Sequence, residues 1–230
     1  MAVWVTTDLH GNYDLWEQIK NFLKEDDTLI YLGDAIDRGD RGFEIFMEML
    51  EHPQVVFLKG NHEDMLVKAA REAMDGSYGC SKQRLLASNG GFETLTELLY
   101  EDRPEIWISM LAKLPTHTTY TNENGQKIFL CHAGCSLWAD EPEVIPDDHD
   151  LIWDRVHYIS KKSDLMSDTI EVHGHTWVNY IKEDLNMKNT ENEFLFYTNN
   201  KKICIDLGTF HTSKAGILNL DTFEAVYFNI

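Results

Sequence analysis

The chain reads Leu32-Gly33-Asp34-Ala35-Ile36-Asp37-Arg38-Gly39 between an apolar run and a helical pattern. The apolar run, residues 28–32, is typical of a buried parallel strand, and residues 43–51 have helical periodicity. The quoted stretch is therefore predicted to lie at the carboxyl end of a strand, where open α/β sheets bind ligands. Its two carboxylates suit a cation and its arginine suits phosphate, although the stretch alone is also typical of a solvated surface turn.

Two more strand-loop-helix units are predicted on either side of this stretch. One runs from residues 2–7 into Asp8-Leu9-His10-Gly11-Asn12, and the other runs from residues 55–58 into Lys59-Gly60-Asn61-His62-Glu63. Taken alone, Asp8 could be a turn residue, Asn61 a helix N-cap and Glu63 an acid at a helix start. His62 has no such structural explanation. Together the three units place polar side chains along one edge of a sheet.

The second half of the chain is predicted to be rich in strands. Residues 117–120 and 128–131 flank the hairpin signal Asn124-Gly125, and the second of these strands runs into His132-Ala133-Gly134. Residues 169–172 lead into His173-Gly174-His175-Thr176, and mostly antiparallel strands follow at residues 194–197, 202–206, 216–220 and 225–228. We therefore expect a mixed α/β fold in one domain, residues 1–230, with two sheets packed face to face and helices outside.

Several segments carry no convincing chemistry. Residues 75–88 contain Gly76 and Gly79 and lack periodicity, which indicates a lid-like loop, whereas residues 92–100 and 104–114 have helical patterns. Residues 140–150 are acidic and contain proline, so their carboxylates are expected to be solvated on the surface.

The composition argues against two classes of partner. The 230 residues carry 20 basic and 39 acidic side chains, a formal net charge of −19, whereas a nucleic-acid binder needs a basic patch. No apolar run approaches the roughly 18 residues of a membrane span. We therefore expect a cytoplasmic protein with no nucleic-acid or membrane partner. The four cysteines show no C-x-x-C pattern, and Cys131 and Cys135 are expected to be packed thiols rather than ligands or a disulfide.

Six oxygen and nitrogen donors each follow an apolar, strand-like run and stand beside a glycine or another small turn. They are Asp8, His10, Asp34, Asn61, His132 and His175. A mixed set of Asp, His and Asn without a thiolate suits Mn²⁺, Fe or Zn²⁺ better than Ca²⁺ or a structural zinc. A centre with two ions needs a bridging carboxylate, and Asp34 is the natural candidate because its loop lies between those of the first and third units.

The ordered motifs resemble those of the PPP-type metallophosphoesterases, and most closely those of the bacterial and bacteriophage lambda-type serine/threonine protein phosphatases. The motifs are Asp8-Leu9-His10-Gly11, Gly33-Asp34-Ala35-Ile36-Asp37-Arg38-Gly39, Gly60-Asn61-His62-Glu63, His132-Ala133-Gly134 and Gly174-His175-Thr176. The resemblance implies a calcineurin-like fold, a central β-sandwich of two mixed sheets flanked by helices. It also implies two divalent metal ions, with Mn²⁺ as the first candidate and Fe or Zn²⁺ as alternatives.

The same resemblance implies a role for each site residue. The first metal would be held by Asp8, His10 and Asp34, and the second by Asp34, Asn61, His132 and His175. His62 matches the family's general acid, and Asp37 matches the carboxylate that orients it and raises its pKa. Arg38 resembles the family's phosphate clamp, and Arg155, in Ile152-Trp153-Asp154-Arg155, resembles a second clamp; with Asn61 these arginines would bind the substrate.

Two features depart from the family pattern. His173 stands where relatives commonly carry an apolar or aromatic residue; we expect a packed or solvated histidine, with support of the metal ligands as the alternative. Residues 75–114 match no motif, and in this family such segments shape the substrate groove.

Three functions are compatible with these residues. The leading hypothesis is hydrolysis of phosphate monoesters on Ser, Thr or Tyr side chains by a metal-activated hydroxide, with a phosphoprotein or a phosphorylated small molecule as substrate. The second is a dinucleoside polyphosphate hydrolase of the diadenosine tetraphosphate type; such relatives often lack an acid at the position of Asp37. The third is a metal-dependent binding protein without turnover, which the presence of His62, Asp37 and Arg38 disfavours.

Overall fold

Two five-stranded sheets lie at the centre of the fold. The computed structural model of the protein describes residues 1–134, 147–155, 157–158 and 169–230. The strands in this part of the chain are β1 (Val3–Thr6), β2 (Thr28–Tyr31), β3 (Val55–Phe57), β4 (His117–Thr121), β5 (Lys127–Cys131), β6 (Thr169–His173), β7 (Leu195–Tyr197), β8 (Lys202–Cys204), β9 (Lys214–Asn219) and β10 (Ala225–Asn229). The helices are α1 (Tyr13–Phe22), α2 (Gly42–Glu51), α3 (Asn61–Met74), α4 (Ser81–Ser88), α5 (Phe92–Tyr100), α6 (Pro104–Lys113), α7 (Asp148–Trp153), α8 (Val178–Asp184) and α9 (Thr209–Thr212).

Both sheets are mixed, as the family resemblance implies. The first has the strand order β10-β9-β1-β2-β3, in which β1, β2 and β3 are parallel and the β9–β10 hairpin joins antiparallel to β1. The second has the order β4-β5-β6-β8-β7. Its three central strands β5, β6 and β8 are parallel, and its edge strands β4 and β7 are antiparallel to their neighbours. Since parallel strands end at the same edge, each sheet gathers several loops at one end.

The antiparallel pairing expected in the second half of the chain is therefore only partly right. The hairpins β4–β5, β7–β8 and β9–β10 are antiparallel, but β6 aligns in parallel with both of its neighbours, with Ile128 opposite Ile170 and Glu171 opposite Lys202. Parallel pairing needs a crossover connection of roughly a dozen residues or more, and long connections precede and follow β6. Turn signals in a sequence reveal hairpins, whereas pairing across a long connection leaves no local signal.

Alternating burial along β2 shows how the layers pack. Leu29 and Tyr31 lie in the core cluster that the helices cover, whereas Ile30 and Leu32 lie in the cluster between the two sheets. The second cluster is completed from the opposite sheet by residues such as Leu130. A period of two puts successive side chains on opposite faces of a strand, so both faces of this sheet are buried. The molecule is thus a β-sandwich flanked by helices.

The helices agree with the predicted ones except at three places. Residues 81–88 form α4 rather than a loop, because their Lys, Gln, Arg, Leu and Ala residues favour a helix and Leu86 is buried. Helices α8 and α9 were not predicted; they have only seven and four residues. Helix α7 begins inside the acidic segment, where the Asp147 side chain accepts a hydrogen bond from the Asp150 amide at 2.9 Å. Residues 140–146 of that segment lie outside the described residues.

The structure partly tests two expectations, the lack of a membrane partner and the packed state of the cysteines. Among the residues that the structure describes, no helix is both long and apolar enough to cross a membrane. Cys80 and Cys204 are free thiols, whereas Cys135, the neighbour with which Cys131 was considered, lies outside the described residues.

The carboxylate of Glu48 joins α1 to α2. It accepts hydrogen bonds from the Trp16 indole at 2.9 Å, from the Lys20 ammonium at 2.6 Å and from the Tyr13 hydroxyl. Partial burial alone would raise the pKa of Glu48, but these bonds outweigh it and lower the pKa from 4.5 to about 2. A carboxyl group with a lower pKa in the folded state stabilises the fold above its unfolded pKa, and that contribution is lost as the pH falls through the folded pKa.

Replacing Glu48 by Gln is therefore expected to lower the free energy of unfolding by about 1–2 kcal/mol at neutral pH, a modest value because the side chain is 32% exposed. The difference from the wild type should shrink as the pH falls from about 4.5 to about 2. Urea denaturation at several pH values measures it, with Glu51→Gln at the exposed end of α2 as the control. A difference that does not change with pH would contradict the charge-based explanation.

Candidate active site

Loops from both sheets meet at one end of the sandwich. The loops after β1 and β2 are joined by backbone hydrogen bonds from Asp8 to Gly33 and from His10 to Asp34, both 3.1 Å. The loop after β5 is tied to them through the His132 Nδ1 atom, 3.0 Å from the Leu32 carbonyl oxygen. All six predicted metal-ligand residues lie in these loops, in the loop after β6 or in the first turn of α3, and all six are buried. The structure therefore brings together the donors that the sequence predicts.

Backbone strain is concentrated at this site. Several residues other than glycine have φ between 45° and 69°, in the left-handed region that side chains disfavour. Those at the site are Asp8, His10, Asp34, Asp37, Arg38 and His175. Such conformations cost on the order of 1–3 kcal/mol each and persist only where the surroundings enforce them, which is common at functional sites.

The Glu63 carboxylate enforces part of this geometry. It accepts hydrogen bonds from the backbone amides of Asp34 at 2.8 Å, Ala35 at 2.9 Å and Gly60 at 2.9 Å, so it joins the loop after β2 to the start of α3. Burial and the nearby Asp34 charge raise the pKa of Glu63 to about 7. The sequence suggested only an acid at a helix start; its position three residues after Gly60 was the available signal for the half of a capping box in which a carboxylate accepts the N-cap amide hydrogen.

Asp34 is the centre of the donor cluster. Its Oδ2 atom lies 3.4 Å from His132 Nε2 and 3.7 Å from His10 Nε2, and its Oδ1 atom accepts the His62 amide hydrogen at 3.0 Å. Burial alone would raise the pKa of Asp34, but the neighbouring histidines, His132 above all, hold it well below the ordinary value. Asp34 is therefore a buried carboxylate surrounded by imidazole nitrogens.

The other donors lie on either side of Asp34. Asp8 Oδ1 is 3.7 Å from His10 Nε2, while its Oδ2 accepts the Thr7 hydroxyl at 2.6 Å and the His175 amide at 3.0 Å. On the opposite side, His132 Nε2 lies 3.0 Å from Asn61 Oδ1 and 3.1 Å from His175 Nδ1. Two sets of donors thus share Asp34.

This arrangement fits a pair of divalent metal ions. The Nδ1 atoms of His10 and His132 face the carbonyl oxygens of Ile36 and Leu32 at 3.1 and 3.0 Å, so their Nε2 atoms point into the cluster, as in metal-binding histidines. The buried Nε2 of His175 has no hydrogen-bond partner in the described part of the chain. Asp34 belongs both to a group of possible ligands with His10 and His62 and to a group with His132 and His175.

His62 and Asp37 form a buried pair beside the donors. The His62 Nδ1 and Asp37 Oδ2 atoms are 2.6 Å apart, and the two side chains are 1% and 0% exposed. Burial favours the neutral imidazole, but the Asp34 and Asp37 carboxylates outweigh it and raise the pKa of His62. An imidazole held in this way keeps a proton on Nδ1 and presents Nε2 to the cluster, since Nε2 is 3.8 Å from Asp34 Oδ2.

The two predicted phosphate-binding arginines line one cavity of about 710 Å³. The Arg38 guanidinium lies between two imidazoles, with Nη1 2.7 Å from His10 Nε2 and Nη2 3.0 Å from His62 Nε2. It therefore covers the same His10 nitrogen that the donor cluster offers to a cation. Arg155, on the segment after α7, also lines the cavity and is exposed.

The cavity also contains residues that the sequence did not single out. Trp177 and Phe210 form an aromatic wall near His175, and Glu93 approaches from α5, within the segment that matched no motif. The buried Asp206 lies at the end of the strand predicted at residues 202–206, and burial followed by the Asp8 charge raises its pKa well above the ordinary value. Its position at a strand end, like that of Asp8, was a signal that could have identified it.

Comparison with known proteins agrees with this geometry. Residues 1–207 match the family model described as calcineurin-like phosphoesterase. Over 137 residues, the chain is 37% identical to serine/threonine-protein phosphatase 2 of Escherichia coli (strain K12) and 31% identical to the protein of the same name from Salmonella typhimurium. Each match covers 57% of this chain and 57% of the relative.

Solved structures of low identity share the fold. A Saccharomyces cerevisiae protein serine/threonine phosphatase, with similarity to human phosphatase PP5, is 14% identical with a TM-score of 0.64, covering 100% of this chain and 80% of that one. A structure described as a diadenosine tetraphosphatase is 14% identical with a TM-score of 0.63, covering 98% and 92%. The fold, the two donor sets that share Asp34 and the match over residues 1–207 lead to one conclusion: the chain belongs to the calcineurin-like phosphoesterase family.

Proposed function

We propose that the protein hydrolyses phosphate monoesters on Ser or Thr side chains, with Tyr as a further substrate, by means of two divalent metal ions. Asp8, His10 and Asp34 would hold the first ion, and Asp34, Asn61, His132 and His175 the second. When bound, such ions lower the pKa of a water molecule from about 15.7 toward 7 and stabilise charge on phosphoryl oxygens. The observation that carries the proposal is the buried His62–Asp37 pair directly beside the donors. Metal binding alone does not require a proton donor, whereas hydrolysis does.

In this proposal His62 donates the proton that the leaving alkoxide needs. The proton leaves from Nε2, which faces the donor cluster, while Asp37 keeps Nδ1 protonated and favours the imidazolium form. The Asp37 charge also fixes the ring orientation, since the two side chains are almost completely buried. Proton donation of this kind matters most for an alkoxide leaving group such as that of a phosphoserine.

The arginines would bind the phosphate oxygens. Arg155 and Arg38 line the same cavity, and an arginine presents paired N–H donors that match a phosphate. Arg38 would leave His10 Nε2 when the first ion binds, because the ion and the guanidinium compete for the same lone pair. The exposed position of Arg38 allows this movement. The released guanidinium would then face the cavity, and Asn61 would be a further substrate contact.

Gly60 provides a steric test of the metal sites. A Cβ atom at this position would lie 2.1 Å from Asp34 Oδ1 and 2.6 Å from the Asp34 amide nitrogen. We expect Gly60→Ala to displace the bridging carboxylate and to weaken Mn²⁺ binding by about 10–100-fold or more, the range seen when groups supporting metal ligands are changed. Calorimetric titration measures the affinity. Gly76→Ala is the control: a Cβ there meets nothing within 4 Å, and the strain from its φ of +79° falls after the end of α3, away from the metal ligands. Equal affinity in both variants would contradict the placement of Asp34.

A second candidate is hydrolysis of a dinucleoside polyphosphate such as diadenosine tetraphosphate. The aromatic wall of Trp177 and Phe210 favours it, because aromatic side chains stack on nucleobases. Asp37 favours phosphate monoester hydrolysis, because relatives that hydrolyse dinucleoside polyphosphates often lack an acid at its position.

One substrate panel separates the candidates. The full chain, loaded with Mn²⁺, Zn²⁺ or Fe, is given phosphoserine, phosphothreonine and phosphotyrosine peptides, p-nitrophenyl phosphate and diadenosine tetraphosphate at equal concentrations. We expect the highest kcat/KM with the phosphoserine or phosphothreonine peptide. A preference for diadenosine tetraphosphate would replace the proposal by the second candidate, and no turnover of any compound by a metal-loaded sample would support a binding protein without activity.

A further inference from the structure

A second group of buried titratable side chains lies apart from the donors around Asp34. It consists of His157, Glu171 and His173, each 0% exposed. His157 Nε2 is 3.2 Å from His173 Nε2 and 3.7 Å from Glu171 Oε1, and the donor atoms of the three residues all lie within 4.8 Å of one another. His173 is the residue that departs from the family pattern, so the pattern gives this group no role.

The spacing of these atoms matches the ligands of a small ion. A tetrahedral zinc ion with bonds of about 2.0–2.2 Å separates its ligand atoms by roughly 3.3–3.5 Å. The 3.2 Å between the two imidazole nitrogens is close to this separation, and the 3.7 Å to the carboxylate oxygen requires only a small shift. Two imidazoles and one carboxylate leave a fourth position open.

The far nitrogen of His173 makes the hydrogen bond that is usual for metal-binding histidines, whereas that of His157 has a carboxylate nearby but beyond hydrogen-bond distance. His173 Nδ1 lies 3.1 Å from the Gly174 carbonyl oxygen, which fixes its proton there and directs the Nε2 lone pair into the group. His157 Nδ1 lies 3.9 Å from Asp154 Oδ1.

Hydrogen bonding without an ion leaves one atom unsatisfied. The Tyr197 hydroxyl can donate to His173 Nε2 at 2.7 Å and accept from His157 Nε2 at 3.3 Å. In that arrangement the proton of His157 is on Nε2, and its buried Nδ1 has no hydrogen-bond partner among the described residues. An unsatisfied buried polar atom costs about 1–3 kcal/mol. With the proton on Nδ1 instead, two lone pairs face each other across 3.2 Å, which a cation between them would relieve.

The charges around the group are compatible with an ion. Glu171 supplies one negative charge and Asp154 a second beside His157, whereas the buried Lys202 donates from Nζ to the His157 carbonyl oxygen at 2.7 Å and opposes a cation. Gly134 leaves room for the Glu171 and His157 side chains because a glycine has no Cβ. A Cβ at this position would lie 2.5 Å from Glu171 Oε1 and 2.6 Å from His157 Nε2.

We propose that His157, Glu171 and His173 bind a third divalent ion, of the zinc type, separate from the two ions at the site around Asp34. Two nitrogen ligands and one oxygen ligand in a buried group suit Zn²⁺ better than Mg²⁺ or Ca²⁺, which prefer oxygen ligands. The ion joins β6 to the segment that carries Arg155, two residues before His157. The ion therefore connects these two parts of the chain next to the His132-Ala133-Gly134 loop.

Anomalous diffraction tests the site in the unaltered chain. The full-length protein is stripped with EDTA, dialysed against Zn²⁺ and crystallised, and data are collected on both sides of the zinc absorption edge. We expect an anomalous peak between His157 Nε2 and His173 Nε2 in addition to any peaks at Asp34. Peaks at Asp34 without one at His157 would overturn the proposal. Because this measurement does not involve turnover, its failure leaves the proposed phosphatase activity unaffected.

Variants distinguish a metal site from a hydrogen-bond network. After the same treatment, Glu171→Gln and His173→Phe are expected to retain one equivalent of zinc per chain fewer than the wild type, as measured by mass spectrometry of the metal. Tyr197→Phe removes the hydroxyl that joins the two histidines but no proposed ligand, so it should retain the wild-type count. Wild-type zinc content in folded Glu171→Gln and His173→Phe would overturn the proposal; if these variants do not fold, the anomalous peak decides.

Discussion

Asp34→Asn is expected to abolish metal binding and hydrolysis together. The Asp34 carboxylate is shared by both donor groups, so its loss weakens both at once. The amide is neutral, and it leaves His132 without the negative partner that, against the effect of burial, raises the pKa of His132 to about 9. Even groups that only support metal ligands are worth about 10–100-fold in affinity, so we expect more than 100-fold weaker binding of Mn²⁺.

Metal content and rate are measured on the same preparation of this variant. Isothermal titration gives the affinity, and p-nitrophenyl phosphate hydrolysis gives kcat/KM. Asp26→Asn, a change of the same kind at an exposed position, controls for the substitution itself and should match the wild type in both measurements. If Asp34→Asn bound two equivalents of metal with wild-type affinity, Asp34 would not be the bridging ligand.

Asp37→Asn and His62→Asn are expected to lower the rate while the metal stays bound. General acid catalysis contributes about 10²–10⁴-fold, so His62→Asn should reduce kcat by a factor in this range with phosphoserine peptide. Asp37→Asn should cost less, because an asparagine side chain can still accept the Nδ1 hydrogen but brings no negative charge. Neither residue belongs to the six proposed ligands, so the equivalents of bound Mn²⁺ should equal those of the wild type.

The double variant shows whether the two residues act as a unit. If Asp37 works only through His62, the double variant should be no slower than His62→Asn alone, whereas independent effects would multiply. A leaving group that needs no proton offers a second check, since p-nitrophenyl phosphate should be less affected by His62→Asn than the peptide is. An unchanged kcat for His62→Asn with the phosphoserine peptide would exclude His62 as the proton donor.

The motifs around the candidate site were predictable because each is local. A strand that ends in Asp8-Leu9-His10-Gly11 or Gly60-Asn61-His62-Glu63 carries its donors within a few residues, and parallel strands necessarily end at a common edge. For the same reason the helices α1, α2, α3, α5 and α6 were predicted from periodicity. Helix α4 was missed because the glycines before it suggested that the loop continued.

Roles that depend on contacts between distant segments were not predictable in this way. Glu63 was expected to be an acid at a helix start, but the structure places its carboxylate on the amides of Asp34 and Ala35, about thirty positions earlier in the chain. Arg38 was predicted to bind phosphate, and the structure adds contacts of its guanidinium with His10 and His62 that no motif indicates. His173 was expected to be packed, and it is, but against a second buried histidine that no sequence motif connects to it.

The sequence by itself determined the three strand-loop-helix units and the order of the donor-bearing loops, and it predicted the set of six donors, because hydrophobic periodicity and turn chemistry act over a few residues. Tertiary structure alone decided that β5, β6 and β8 pair in parallel, that the β9–β10 hairpin returns to the first sheet beside β1, and that His157 meets Glu171 and His173. These features depend on which distant surfaces bury each other. That burial is a property of the whole chain, and no short stretch of sequence specifies it.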